Sequence, residues 1–318
     1  MWGNKMGWMI SAGITLVTII LYVMLLIGPS VTPPTSLTTS AGAMDALSLP
    51  GNARALVVAG SGSADAYQQA IDLYKADRMA FDHFADGGKI NTPAFETVKP
   101  AIDLLVDAAG STGGPFAKNP ADVVRYNPDQ SEALKPIYQL GRIANLVGQK
   151  YNIAKQPELA KKYLQAGYSL GYAMCNERLV YHEFRIGQEL MRNAALNLMT
   201  IDKSKGADYK AIDGQYKPFV EGMQKYMVLF NPSDDRMIAS NAGDVFNLAL
   251  HSQERMWRIE AIMMLGHLRY NANQPGDQRG AEATLAKMTG ETDPAVAAAV
   301  KAARELTLQQ HGNSQQMP

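Results

Sequence analysis

The chain has a single cysteine, Cys175, among 318 residues. One cysteine forms no intramolecular disulfide. It also excludes cysteine-rich zinc motifs and the two-cysteine haem attachment motif. A net charge is missing as well: Lys plus Arg is 30 and Asp plus Glu is 30. Proteins that live on nucleic acid carry a basic excess, so no nucleic-acid partner is expected. Aromatic residues make up only 8%. Period-two β-branched runs do not occur after Val58, so strands are not expected.

Nucleotide-loop chemistry is absent too, although one stretch approaches it. Residues 55–67 read ALVVAGSGSADAY: a short apolar run, a Gly-Ser-Gly-Ser turn, then a helical pattern. A P-loop needs a lysine after its second glycine, and the first lysine here is Lys75. A dinucleotide loop needs a third glycine, where Asp65 stands and would face a pyrophosphate. The simpler reading is that Ser63 caps a helix starting at Ala64 and that Asp65 complements its dipole.

Long apolar runs are present once. Residues 9–27, MISAGITLVTIILYVMLLI, carry no charge. As a helix they extend about 28 Å, close to the hydrocarbon thickness of a bilayer. Trp8 marks one interface, and Gly28-Pro29 ends the helix. The core is too long for a cleaved signal, and proline follows it directly, so an uncleaved anchor spanning 1–28 is expected. Lys5 is the sole charge before it. That places the N-terminus in the cytoplasm and the rest in the periplasm, as for a single-pass inner-membrane protein. Residues 29–63 are rich in Pro, Ser, Thr and Gly and form a linker, extended or disordered over most of its length.

The remainder reads as helices. Methionine is abundant at 17 residues, which suits irregular gaps between helices. Helical apolar spacing marks 64–84, 93–109, 136–152, 157–172, 176–199, 218–230, 242–250, 254–270, 280–288 and 294–308. Pro136, Pro157 and Pro294 stand at helix starts. Short connections favour antiparallel hairpins. The expected fold is all-α, with a helical region at 64–205, another at 206–308 and a disordered tail at 309–318.

Within these helices, Leu140-Gly141 followed by Ala160 to Gly167 resembles a tetratricopeptide (TPR) hairpin. Trp257-Arg258-Ile259-Glu260-Ala261 with Leu265-Gly266 resembles the first helix of a HEAT repeat. Asp293-Pro294-Ala295-Val296 resembles the next copy, 39 residues on, against a HEAT period of about 40. The resemblance implies an α-solenoid of stacked antiparallel hairpins that binds protein partners. The order of anchor, stalk, AIDLLVDAAG, LGRIANLVGQK and RLVYHEFRIG is also similar to that of single-pass helical envelope proteins of planctomycete-type bacteria. That likeness implies no activity.

One polar helix, 175–192, carries the candidate site. Arg178, His182, Arg185, Glu189 and Arg192 recur at spacings of 4, 3, 4 and 3 and share one face. Ion pairs Arg185–Glu189 and Glu189–Arg192 account for them as a solvated face, and a partner-docking surface is the functional alternative. A second histidine for H-E-x-x-H zinc binding is missing, because Ile186 stands there. Neither Glu177 with His182 nor Cys175 with His182 matches a di-iron or nucleophilic template. No catalytic, metal or cofactor residue is therefore assigned. Glu183 stands out on the apolar face, where a buried carboxylate needs a partner, expected to be an arginine. The function expected is a membrane-tethered scaffold in the cell envelope that docks an unknown protein partner. The alternative is a helical enzyme or small-ligand receptor using helix 175–192.

Overall fold

The computed structural model describes residues 49, 51–58, 62–111, 113–126, 129–215, 242–270 and 275–308. The expected span 9–27, most of the linker, the helix expected at 218–230 and the tail 309–318 lie outside the described residues. Among the described residues no helix is long and apolar enough to cross a membrane.

Eleven α-helices and no strands occur among the described residues. They are α1 (Asp65–Ala76), α2 (Arg78–Ala85), α3 (Pro93–Ala108), α4 (Asp129–Ile153), α5 (Pro157–Glu177), α6 (Tyr181–Ile201), α7 (Gly206–Gly214), α8 (Ala242–His251), α9 (Arg255–Leu268), α10 (Pro275–Lys287) and α11 (Pro294–Glu305).

Helices α4, α5 and α6 form the centre and each packs on the other two. Three-residue turns join them, too short for anything but a return of the chain. The closest approach is α5 on α6. A Cβ added at Gly171 would sit 2.6 Å from the Gly187 carbonyl oxygen, and one at Gly187 would sit 2.8 Å from Cys175 Sγ. Hydrogen in place of a methyl is what lets the two backbones touch. Leu140, Ile143, Leu164, Leu170, Leu190 and Leu198 fill the seams and are fully buried. Each such side chain contributes about 1.5–3 kcal/mol. Asn145 is one polar member, its Nδ2 donating to the Leu190 carbonyl at 3.2 Å.

Helices α1, α2 and α3 cover α4 and α5. In the C-terminal part α9 is central, touching α8, α10 and α11. The 113–126 loop joins the two parts. Tyr126 Oη donates to the Met263 carbonyl at 2.8 Å, and the Pro120–Asp122 turn packs on α11.

Four sequence expectations need correction. The helix expected at 64–84 breaks at Asp77, which turns to φ −141° and caps α2 through the Ala80 amide. Pro136 does not start a helix, since α4 begins at Asp129 and carries Pro136 inside it. The helix expected at 176–199 is two helices: Arg178 adopts φ 52° and ends α5, and α6 starts at Tyr181. The folded part also begins before Ser63. Ala53 and Leu56 are buried in a separate small core with Tyr168, Met191, Leu198 and Tyr209. Tyr168 Oη donates to the Ala53 carbonyl at 3.0 Å, and Asn52 Nδ2 donates to Asp208 Oδ1 at 3.1 Å. Alanine and leucine in this stretch supply burial that its Gly/Ser-rich surroundings conceal. Ser63 Oγ does accept the Asp65 amide at 3.2 Å, and α1 starts one residue later than expected.

Candidate functional site

The five residues expected on one face separate at the 178–180 turn. Arg178 is the left-handed residue that closes α5. Its Nε donates to the Cys175 carbonyl, its guanidinium lies 4.7 Å from the Phe184 ring centre, and Nη1 is 3.7 Å from Glu254 Oε2. His182, Arg185, Glu189 and Arg192 remain together on α6. Their partners are not the ones expected within the helix. Glu189 accepts from Tyr138 Oη at 2.8 Å, and Arg192 Nε is 2.6 Å from Asp213 Oδ1. Arg185 Nη2 lies 3.1 Å from His182 Nε2. Burial, and next the Arg185 charge, push the His182 pKa down to about 4, so its ring is neutral at pH 7. This face is thus tied into the fold by bonds to α4 and α7.

The turn that splits the helix creates a group the sequence did not show. Glu177, the last residue of α5, meets Glu183, in the first turn of α6. Glu183 is fully buried and Glu177 is 6% exposed. Glu183 Oε2 accepts the Leu179 amide at 2.9 Å, and Glu177 Oε2 accepts the Phe116 amide at 3.1 Å. Neither Oε1 has a hydrogen-bond partner. The two carboxyls are close enough to act on each other electrostatically. Burial first, and then the Glu177 charge, raise Glu183 well above the usual carboxyl range. Burial raises Glu177 too, while Glu183, the Phe116 amide and Arg255 restrain that rise. The charged neighbour that acts on Glu183 is a second acid, not the arginine expected. A Cβ at Gly114 would lie 2.1 Å from Glu177 Oε2, so a glycine is required where the loop crosses the pair.

Arg255, the first residue of α9, stands over this pair. It donates through Nη2 to the Glu177 carbonyl, and its Nη1 is 4.0 Å from Asp293 Oδ2. Asp293 spends its other oxygen on the Ala295 and Val296 amides at the start of α11. Three cavities meet at Arg255. One of about 190 Å³ lies between Gly114, Glu177, Leu179 and Asp293. One of about 480 Å³ is bounded by Leu49, Tyr172, Arg178, Gln253 and Glu254. One of about 210 Å³ is bounded by His251, Arg258 and Asp293. Together they form a polar cleft between the end of α5 and the starts of α9 and α11.

Among the described residues no three His, Cys, Asp or Glu side chains stand together to hold a metal ion. Cys175 is fully buried, and burial raises its thiol far above the usual range, which makes it a poor nucleophile. Chemically, the cleft offers an arginine with donors to spare, two side-chain amides (Asn176 and Gln253) and the Glu177 carboxyl. Compared with known proteins, the chain matches no family model, no curated protein and no solved structure.

The sequence flags Glu183, offers Glu177 only as a mismatched partner for His182, and gives no sign of Arg255. Glu177 sits six residues before Glu183, a spacing with no meaning on one continuous helix. Only the 178–180 turn gives it one.

Proposed function

We propose that this chain is a membrane-tethered helical docking module of the cell envelope, held by residues 9–27 and binding a partner protein without catalysis. Its folded part is read as stacked hairpins of TPR and HEAT type, α4–α5 and α9–α10 with α11. Repeat stacks of this kind present extended surfaces to partners. The observation that carries the reading is the Arg255 cleft. It is wide and polar, and it opens where two helical groups meet, whereas ligand pockets are predominantly apolar. The Arg178–Arg192 stripe is a weaker docking candidate, because Glu189 and Arg192 already bond neighbouring helices.

In-cell crosslinking followed by affinity purification of the tagged chain tests this. A reproducible envelope protein whose recovery falls with Arg255→Glu supports docking at the cleft. Recovery of the chain alone with a small molecule points to the second reading, a small-ligand receptor or enzyme. That reading is favoured by one observation: Glu177, a buried carboxyl with a raised pKa, lines the cleft.

A further inference from the structure

The end of the central bundle away from the cleft carries bare apolar side chains among unpaired lysines. Helix α4 ends there at Ile153 and α5 starts there at Pro157. The end of α6 lies beside them: Asn152 Nδ2 is 3.5 Å from Thr200 Oγ1, and Lys161 Nζ is 3.1 Å from Asp202 Oδ2. Every residue from Ile153 to Leu159 is exposed. Ile153 is 73% and Leu159 39% exposed, two of the five large apolar side chains left bare among the described residues. One exposed aliphatic needs no explanation, but here two flank a single turn.

Lys150, Lys155, Lys161 and Lys162 come from α4, α5 and the turn between them, and Lys203 and Lys205 from the turn after α6. The acids on these segments are Glu158 and Asp202. The start of α3 adjoins them, with the Phe95 ring 6.3 Å from that of Tyr151, and adds Glu96, Lys99 and Asp103. Lys161 pairs with Asp202, and Lys99 and Lys162 share Asp103. Among the described residues Lys150, Lys155, Lys203 and Lys205 have no carboxylate within ion-pair distance. The end is therefore positive after its internal pairing. Lys155 also takes the left-handed conformation, φ 59°, that glycine adopts at a helix end without strain. No ion pair in the fold offsets that strain.

We propose that this end is a lipid-facing foot: Ile153 and Leu159 enter the headgroup region of an anionic membrane while the surrounding lysines reach its phosphates. This rests on the reading that residues 9–27 tether the chain. Lysine suits the arrangement, because its stem lies along apolar groups while its ammonium stays with water and phosphate. Chain length supports lipid as the occupant. The strap is bound close to this end, since Asn52 Nδ2 donates to Asp208 Oδ1, three residues past Lys205. Twenty residues separate Gly28 from Leu49, a reach of at most about 70 Å. The tether thus holds the foot at high local concentration over its own membrane, where a weak contact suffices. Helix α5 runs 21 residues, about 30 Å, from Pro157 at the foot to Glu177 at the cleft. A planted foot therefore lifts the Arg255 cleft off the lipid and leaves it open to a partner.

A fluorophore on Gln156→Cys reads the contact in the full chain. Gln156 is exposed and makes no side-chain cap bond, and Cys175 is fully buried, so the new thiol takes the label. The chain is reconstituted into phosphatidylcholine vesicles carrying a nitroxide-headgroup lipid, with or without phosphatidylglycerol. Quenching is expected with phosphatidylglycerol, and it falls without it or at high salt. Lys155→Gln with Lys203→Gln lowers the docked-to-free ratio by about thirtyfold, at about fivefold per lysine. Ile153→Ser with Leu159→Ser lowers it as well. A label on Met79→Cys is the control and stays unquenched. Its neighbour Arg78 reaches Glu132 at 3.3 Å, in the first turn of α4 and so at the opposite end of the bundle. No quenching at position 156 with phosphatidylglycerol, equal quenching at 156 and 79, or quenching indifferent to lipid charge and to the lysines overturns the foot. So does an unquenched position 156 that crosslinks to a protein in cells, which gives this end to a protein partner. Carbonate extraction of the same vesicles reads the tether separately. A chain that carbonate removes, but that was quenched at 156 beforehand, keeps the foot and rejects the anchor.

Discussion

Gly171→Ala tests the packing on which the acid pair depends. The new Cβ would meet the Gly187 carbonyl oxygen and the Met191 amide nitrogen at 2.6 Å, and the Met191 Cβ at 3.0 Å. Two of these three contacts are main-chain atoms of α6 and cannot swing aside. Relief requires α5 and α6 to part by several tenths of an ångström along a seam that ends at Glu177 and Glu183. Overpacking of this kind costs about 1–3 kcal/mol. Alanine regains up to about 1 kcal/mol of helix propensity over glycine. The net expectation is a loss of about 1–2 kcal/mol, a fall in Tm of about 2–8 °C for a domain of this size. Gly243→Ala in α8 is the control, because nothing lies within 4 Å of its added Cβ. It is expected to match or exceed the wild type by up to about 1 kcal/mol. Thermal unfolding of the detergent-solubilised chain, followed by helical circular dichroism, gives both numbers. A Gly171→Ala protein as stable as the Gly243→Ala protein would refute the close α5–α6 contact.

Other perturbations follow from the same structure. His182 is held neutral with a pKa of about 4 by burial and by Arg185, so its contribution to stability is present above the unfolded value of 6.5 and is lost as pH falls from there towards 4. A histidine NMR titration with one ring shifting near pH 4, and absent in His182→Gln, checks this. Leu56→Ala removes the largest buried side chain of the 53–56 strap from its small core and lowers stability by about 2 kcal/mol, with faster exchange at Tyr209 and Ile212. Deleting residues 1–28 moves the chain from the carbonate-resistant membrane fraction to the soluble fraction. Retention of the shortened chain in membranes contradicts the anchor.

Much of the helical architecture is legible from spacing alone. The α3, α5, α9 and α11 stretches show apolar residues at helical intervals, and proline stands at the first position of α3, α5 and α11. Breaks are harder to read, because a single residue makes each one. Asp77 and Arg178 interrupt patterns that stay apolar at the right period on both sides, and arginine carries no signal for the left-handed conformation it adopts. The strap at 53–56 is hidden for another reason. It is a short 3₁₀ turn with no period to detect, and burial against α5, α6 and α7 defines it. The candidate site suffered most. Glu183 was visible as an acid in an apolar stripe, but its acidic neighbour depends on one turn and the cation beside that neighbour comes from 72 residues further along the chain, Arg255.

Under the proposed function, the cleft at Arg255 docks a partner. A photocrosslinking residue placed at Gln253, which lines two of the three cavities, tests it in intact cells. The matched control is Met79, which is 80% exposed on α2. A discrete adduct with one envelope protein is expected from position 253, lost when Arg255→Glu is added, and none from position 79. No adduct from position 253, or the same adducts from both positions, would contradict it.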